Sequence, residues 1–187
     1  MRVLATEKGK RETRMLKRME MIEKILEAGN LTKACKEVVK NKGAGGIDKM
    51  PVKKLKAYLD ANRDSLCESA RNGEYLPQPI RGKQIPKSNK KMRLLGIPTA
   101  VDRMLQQAVL RVVMPHYELE FSEDSFGFRP NRNTHQAVSK ALNYINSGFQ
   151  NIVEIDLKAF FDEVDHVLLL QLMHRKVKCK ATMRLLR

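Results

Sequence analysis

Between Arg14 and Ala28 the apolar positions Met15, Met19, Ile22 and Leu26 recur every three or four residues, with mostly charged residues between them. That period predicts an amphipathic helix with a basic polar side, closed by Gly29-Asn30. A second short helix is expected from Leu31 to Lys40, with Thr32 near its start. Asn41-Lys-Gly-Ala-Gly-Gly46 then interrupts regular structure. Asp48 and Pro51 introduce a third helix that carries Val52, Leu55, Tyr58 and Leu59 towards Ala70.

The pattern changes between Tyr75 and Thr99. Prolines at 77, 79, 86 and 98 exclude a continuous helix, and Ile80, Ile85, Leu94, Leu95 and Ile97 fit short strands joined by a turn at Ser88-Asn89-Lys90. Thr99 and Asp102 make a capping-box-like helix start, with Val101, Leu105, Ala108 and Val112 as its buried stripe and an end near Pro115. A further helix is expected over Thr134 to Asn146, with Val138, Ala141 or Leu142, and Ile145 facing inward. Asn151 to Leu157 alternates as a strand does: Val153, Ile155 and Leu157 fall on one face, and Ile152, Glu154 and Asp156 on the other. A last helix runs from about Asp165 to Arg175, and Asp165 reads as its N-cap. The mixture predicts an α+β fold.

Composition narrows the chemistry. With 187 residues and 42% hydrophobic content the chain has material for a real core, and its formal net charge of +15 points to a polyanionic partner. There is no long uncharged apolar run, and the N-terminus lacks a signal peptide's apolar centre, so the expectation is a protein of the bacterial cytoplasm without a membrane partner. Cys35, Cys67 and Cys179 are widely spaced and match no zinc-binding pattern; reduced thiols are the simplest account.

The basic residues are concentrated. No acid lies between Glu74 and Asp102, while Arg81, Lys83, Lys87, Lys90, Lys91 and Arg93 crowd the expected hairpin. Such a hairpin can grip phosphates, or it can be an edge kept soluble by lysines. The glycines at 43, 45 and 46 can bring backbone N–H groups to a phosphate but have no nucleotide-loop spacing, and a plain turn explains them as well. In Phe126-Gly-Phe-Arg-Pro-Asn-Arg132 the rings can stack on bases while Arg129 and Arg132 hold phosphates; alternatively the rings are core and only the arginines are exposed. His116, His135, His166 and His174 have no ligand or triad spacing, and Asp162, six residues after Asp156, need not share its cleft.

Six ordered motifs resemble the reverse transcriptases encoded by group II introns, the intron maturase class: Asn41-Lys-Gly-Ala-Gly-Gly-Ile-Asp48, Tyr75-Leu-Pro-Gln-Pro through Ile85-Pro-Lys87, Arg93-Leu-Leu-Gly-Ile-Pro-Thr99, Asp102-Arg103 with Gln106-Gln107, Ser125-Phe-Gly-Phe-Arg-Pro130, and Asp156-Leu-Lys-Ala-Phe-Phe-Asp162. The resemblance implies a basic helical extension over 1–30, a fingers lobe of helices and a basic β-hairpin over 31–147, and the start of a polymerase palm over 148–187. It implies RNA-directed DNA polymerase activity using Mg²⁺, with intron RNA or RNA template, DNA primer and dNTPs as partners. Asp156 is similar to the first metal-binding, catalytic aspartate of the palm. Lys87 and Arg93 resemble the residues that hold the triphosphate, and Phe160, or else Phe161, the aromatic under the incoming sugar. Gly43, Gly45, Gly46, Arg81, Lys83, Lys90, Lys91, Arg129 and Arg132 would lie along RNA, template or nucleotide.

The chain departs from the family at its end. Members supply two adjacent aspartates in a later Tyr-x-Asp-Asp turn, whereas here the only aspartates after Asp156 are Asp162 and Asp165. The expectation is therefore a fragment or a truncated open reading frame whose product does not polymerise DNA by itself. The alternatives are an RNA-binding module that assists splicing without chemistry, or a piece of a retron-type reverse transcriptase. Apolar palm surface left uncovered is a candidate homodimer contact.

Overall fold

Leu31, Ala34, Cys35 and Val38 complete a helical period of three and four, and all four are buried in the computed structural model, which describes residues 21–86 and 92–187. They belong to α2, Ala28–Lys40, which follows a helical segment α1 over residues 21–26. The earlier part of the first expected helix lies outside the described residues. A 3₁₀ turn at Val52–Lys54 leads from Pro51 into α3, Leu55–Asn72, which stops where Gly73 adopts a left-handed φ of 76°. The chain divides into two units, one of residues 1–113 with 170–187 and one of 114–169.

The first unit has the core. Ile22 and Ile25 of α1, Leu31 of α2, Leu55 and Leu59 of α3, and Met104 and Ala108 of α4, Ala100–Glu118, meet there with Val177 and Cys179. Each fully buried leucine or isoleucine in such a cluster contributes about 1.5–3 kcal/mol relative to exposure. Gly29-Asn30 does not end a helix as its composition suggests: the break falls at Glu27, with ψ at 133°. Asn30 lies inside α2 because its side chain has a better use. Its Nδ2 donates to Ile25 O and to Ala108 O, both at 3.0 Å, and its Oδ1 accepts from Arg111 Nε at 3.1 Å. A terminal carbonyl of α1 is thereby satisfied and α1, α2 and α4 are joined. Arg111 also pairs with Glu37 of α2.

Strands β1, Arg81–Pro86, and β2, Met92–Ile97, form the expected antiparallel hairpin, its turn lying outside the described residues. Helix α4 continues through Pro115 to Glu118, so the proline removes one hydrogen bond instead of ending the helix. Val112 of the expected stripe is half-buried and packs against the core, and Val113 beside it is buried as well.

In the second unit, α5 spans Thr134–Asn146 under a reciprocal capping box: Gln136 N donates to Asn133 Oδ1 at 3.0 Å and Asn133 N to Gln136 Oε1 at 2.9 Å. Its apolar stripe is not inward, however; Val138, Leu142 and Ile145 are all exposed. The expected strand over Asn151 to Leu157 is also absent. A strand exists only by pairing, and among the described residues no neighbour takes up its backbone N–H and C=O groups. Short α6, Phe160–Glu163, precedes α7, His166–Val177, where Asp165 Oδ1 accepts from Val167 N and Leu168 N at 2.8 and 3.0 Å, as an N-cap does. Helix α8, Lys180–Leu186, returns to the first unit, with Arg184 Nη1 donating to Asn72 O at 3.2 Å. No described helix is long and apolar enough to cross a membrane.

Candidate nucleic-acid interface

The hairpin register decides where its charges go. Arg81 pairs with Ile97, Lys83 with Leu95 and Ile85 with Arg93. Paired residues share a face and side chains alternate, so Arg81, Lys83 and Arg93 lie on one face while the other carries Gly82, Gln84, Pro86, Met92, Leu94 and Gly96. All three described cations are exposed, and Ile97 is the one buried residue of the two strands. The ribbon thus has one basic side and one uncharged side. Lys87, Lys90 and Lys91 lie outside the described residues.

The glycine-rich loop is built against the root of this hairpin. A Cβ on Gly46 would stand 2.6 Å from Thr99 Cα, and one on Gly45 2.8 Å from the carbonyl carbon of Lys49. At Gly43 the same position is taken by the Arg103 guanidinium. Arg103 Nη2 donates to Ala44 O at 2.7 Å, and Arg81 Nη1 to Gly45 O at 3.3 Å. The structure therefore brings Gly43, Gly45, Gly46 and Arg81 together; close backbone packing accounts for Gly45 and Gly46, while the Arg103 side chain fills the space at Gly43.

Asp102 is more than the cap that its spacing suggests. It is 4% exposed, and its carboxylate accepts from Tyr75 Oη at 2.6 Å, Thr99 Oγ1 at 2.5 Å and Gln78 N at 3.3 Å. Burial, and then the hydrogen bond to this carboxylate, push the Tyr75 phenol well above its ordinary pKa. The partners precede and follow the hairpin, a convergence that sequence spacing reveals only for Thr99.

The loop from Phe121 to Arg132 reverses an expectation. Arg129 is turned inward: its side chain is 6% exposed, with Nε and Nη2 on Glu118 Oε1 at 3.0 and 2.8 Å and Nη1 on the carbonyls of Ser122 and Ser125 at 2.6 and 2.8 Å. Its guanidinium also covers the Phe121 ring, so its fork is consumed in holding the loop. Arg132 lies over Phe126 and donates to Glu123 O at 3.4 Å. Phe128 is fully exposed at a left-handed φ of 55°. One ring is presented and one arginine buried, the opposite of a phenylalanine core with exposed arginines.

Asp156 is exposed, with no partner among the described residues. Ala159 takes a left-handed φ of 50° and opens α6, where the Phe160 and Phe161 rings meet edge to face at 5.6 Å. Among the described residues no three His, Cys, Asp or Glu side chains gather where they could hold a metal. A single carboxylate does not fit the donor set of a two-metal centre.

A sequence profile described as reverse transcriptase (RNA-dependent DNA polymerase) matches residues 85–185, more than half of the chain. The chain belongs to the reverse transcriptase family. Within this reverse transcriptase-family chain the match takes in β2 and every element from α4 to α8. It is 35% identical to protein YkfC of Escherichia coli K12 over 97% of its own length, and 38% identical to the group II intron-encoded protein LtrA of Lactococcus lactis over 78%. It is 28% identical over 43% of its length to nuclear intron maturase 1, mitochondrial, of Arabidopsis thaliana. The chain spans about half the length of YkfC and about a quarter of LtrA: 48% and 24%. Two of these relatives are thus named as a group II intron-encoded protein and as an intron maturase.

Proposed function

We propose that this chain is the part of a group II intron reverse transcriptase that holds intron RNA or template, through the basic face of the hairpin. The observation that carries the reading is the register, which puts Arg81, Lys83 and Arg93 on one exposed face. A ribbon of that kind lies along a phosphate backbone on its charged side. In the same reading Lys87 and Arg93 hold a nucleotide triphosphate, Phe160 or Phe161 packs under its sugar, and Asp156 supplies one metal-binding carboxylate. Arg132 reaches phosphate and the exposed Phe128 ring stacks on a base. Arg129 acts by holding their loop. With Asp156 as its one proposed metal ligand, the 187-residue chain binds RNA without extending a primer.

The test is RNA binding across a salt series. Neutralising the three cations lowers affinity at least tenfold and flattens the slope of log K against log salt by about 2, at ~0.7 per single-strand phosphate contact. Affinity indifferent to both salt and those substitutions would sink the reading. Asp156→Asn leaves RNA binding unchanged. Primer extension by this chain, lost on Asp156→Asn, would show instead that it polymerises.

A further inference from the structure

A two-stranded ribbon is marginally stable in water by itself, and this one buries only Ile97. What fixes it to the rest of the protein is its root. Tyr75 and Gln78 precede β1, Thr99 follows β2, and all three donate to the carboxylate of Asp102. Asp102 sits in the first turn of α4, among the buried residues Val101, Met104 and Leu105 that seat the helix in the core. Its backbone N–H returns a bond to Thr99 Oγ1 at 3.1 Å. Among the described residues the side-chain oxygens of this buried carboxylate meet these three donors, which with the positive end of the helix offset its charge. An acceptor-only group with two oxygens suits three converging donors, whereas an amide would turn an NH₂ towards one of them.

We infer that Asp102 is a positioning residue, whose carboxylate clamps both roots of the hairpin to α4 and so sets the direction in which Arg81, Lys83 and Arg93 meet phosphate. The inference rests on the reading of the hairpin as the phosphate-binding element. Asp102 itself touches no ligand. Arg103 supports the clamp from the next position by holding Ala44 O, beside the Gly45 carbonyl that receives Arg81. A hairpin released at its root still carries its charges, but it presents them over a range of directions. Fewer phosphates are then contacted at once.

A double-mutant cycle on the full chain with a stem-loop RNA tests this. Asp102→Asn and Tyr75→Phe are each made in the parent and in a variant with Arg81, Lys83 and Arg93 changed to Gln. In the parent, Asp102→Asn weakens binding about tenfold and Tyr75→Phe about threefold, the scale of losing charged and single hydrogen bonds. Both flatten the salt slope. In the hairpin-neutral background each changes affinity less than about twofold, because a residue acting through the hairpin loses its effect with it. Equal losses in both backgrounds, or no loss in a folded parent, would overturn the inference. Should Asp102→Asn fail to fold, Tyr75→Phe decides, since it removes only a hydroxyl. If neutralising the hairpin does not alter affinity, the phosphate reading alone has failed. The clamp is then judged by amide exchange over 81–86 and 92–97: faster exchange in the Asp102 and Tyr75 variants upholds it, and unchanged exchange refutes it.

Discussion

Replacing Gly46 by alanine adds one methyl group at the place where the glycine loop meets the hairpin root. That methyl would stand 2.6 Å from Thr99 Cα, 2.7 Å from Thr99 N and 2.9 Å from the carbonyl carbon of Pro98. All three are backbone atoms, so no side chain can rotate to make room. The chain at 98–99 has to retreat by roughly 1 Å to reach ordinary contact, at the ~1–3 kcal/mol of an overpacked interior. Thr99 moves with it, and its hydroxyl both donates to Asp102 Oδ2 and accepts from Asp102 N at the start of α4. Loss of such a cap adds about 1 kcal/mol, for a total of about 2–4 kcal/mol. For a chain of this size that lowers Tm by roughly 5–15 °C. Gly127→Ala is the control: nothing lies within 4 Å of an added Cβ. It should remain within about 0.5 kcal/mol of the parent. Thermal unfolding followed by far-ultraviolet circular dichroism compares the two, and coincident melting curves would refute the packing argument.

Asn30→Ala removes a side chain that closes three helices together and leaves Ile25 O and Ala108 O without its donor; urea unfolding should show a loss of about 2–3 kcal/mol. Thr182 is fully buried with a hydroxyl that has no partner among the described residues, so Thr182→Val should raise stability by about 1 kcal/mol in the same assay. Tyr75, its pKa raised by burial and by Asp102, keeps its proton when folded at a pH where the unfolded chain, with an ordinary value near 10, has released it. Stability from this group is complete below about pH 10 and is lost as pH rises above it. Unfolding titrations of the parent should show that alkaline decline, and Tyr75→Phe should lack it.

Local chemistry made much of the fold legible. The run from Leu31 to Lys40, the prolines around Ile80 to Ile97, and the segment from Thr134 to Asn146 each mark an element that needs only its own neighbours to form. The alternating run from Ile152 to Leu157 has the pattern of a strand, but a strand needs a partner strand, and β1 and β2 pair only with each other. The stripe of α5 misleads for the same reason: apolar spacing tells which face seeks cover, not whether cover is there. Asn30 misleads differently, since a carboxamide beside a glycine signals a helix end unless distant carbonyls claim it.

The candidate interface divides along the same line. Sequence alone determined the excess of cations between Glu74 and Asp102, the hairpin that carries them and the ordered motifs of the reverse transcriptase family, because composition, breakers and motif order are properties of the chain itself. Only the tertiary structure put Arg81, Lys83 and Arg93 on one face, turned Arg129 inward while leaving Phe128 exposed, and made Asp102 the meeting point of Tyr75, Gln78 and Thr99. Register and burial depend on contacts between residues far apart in the chain, and a carboxylate takes its role from the donors that packing brings to it.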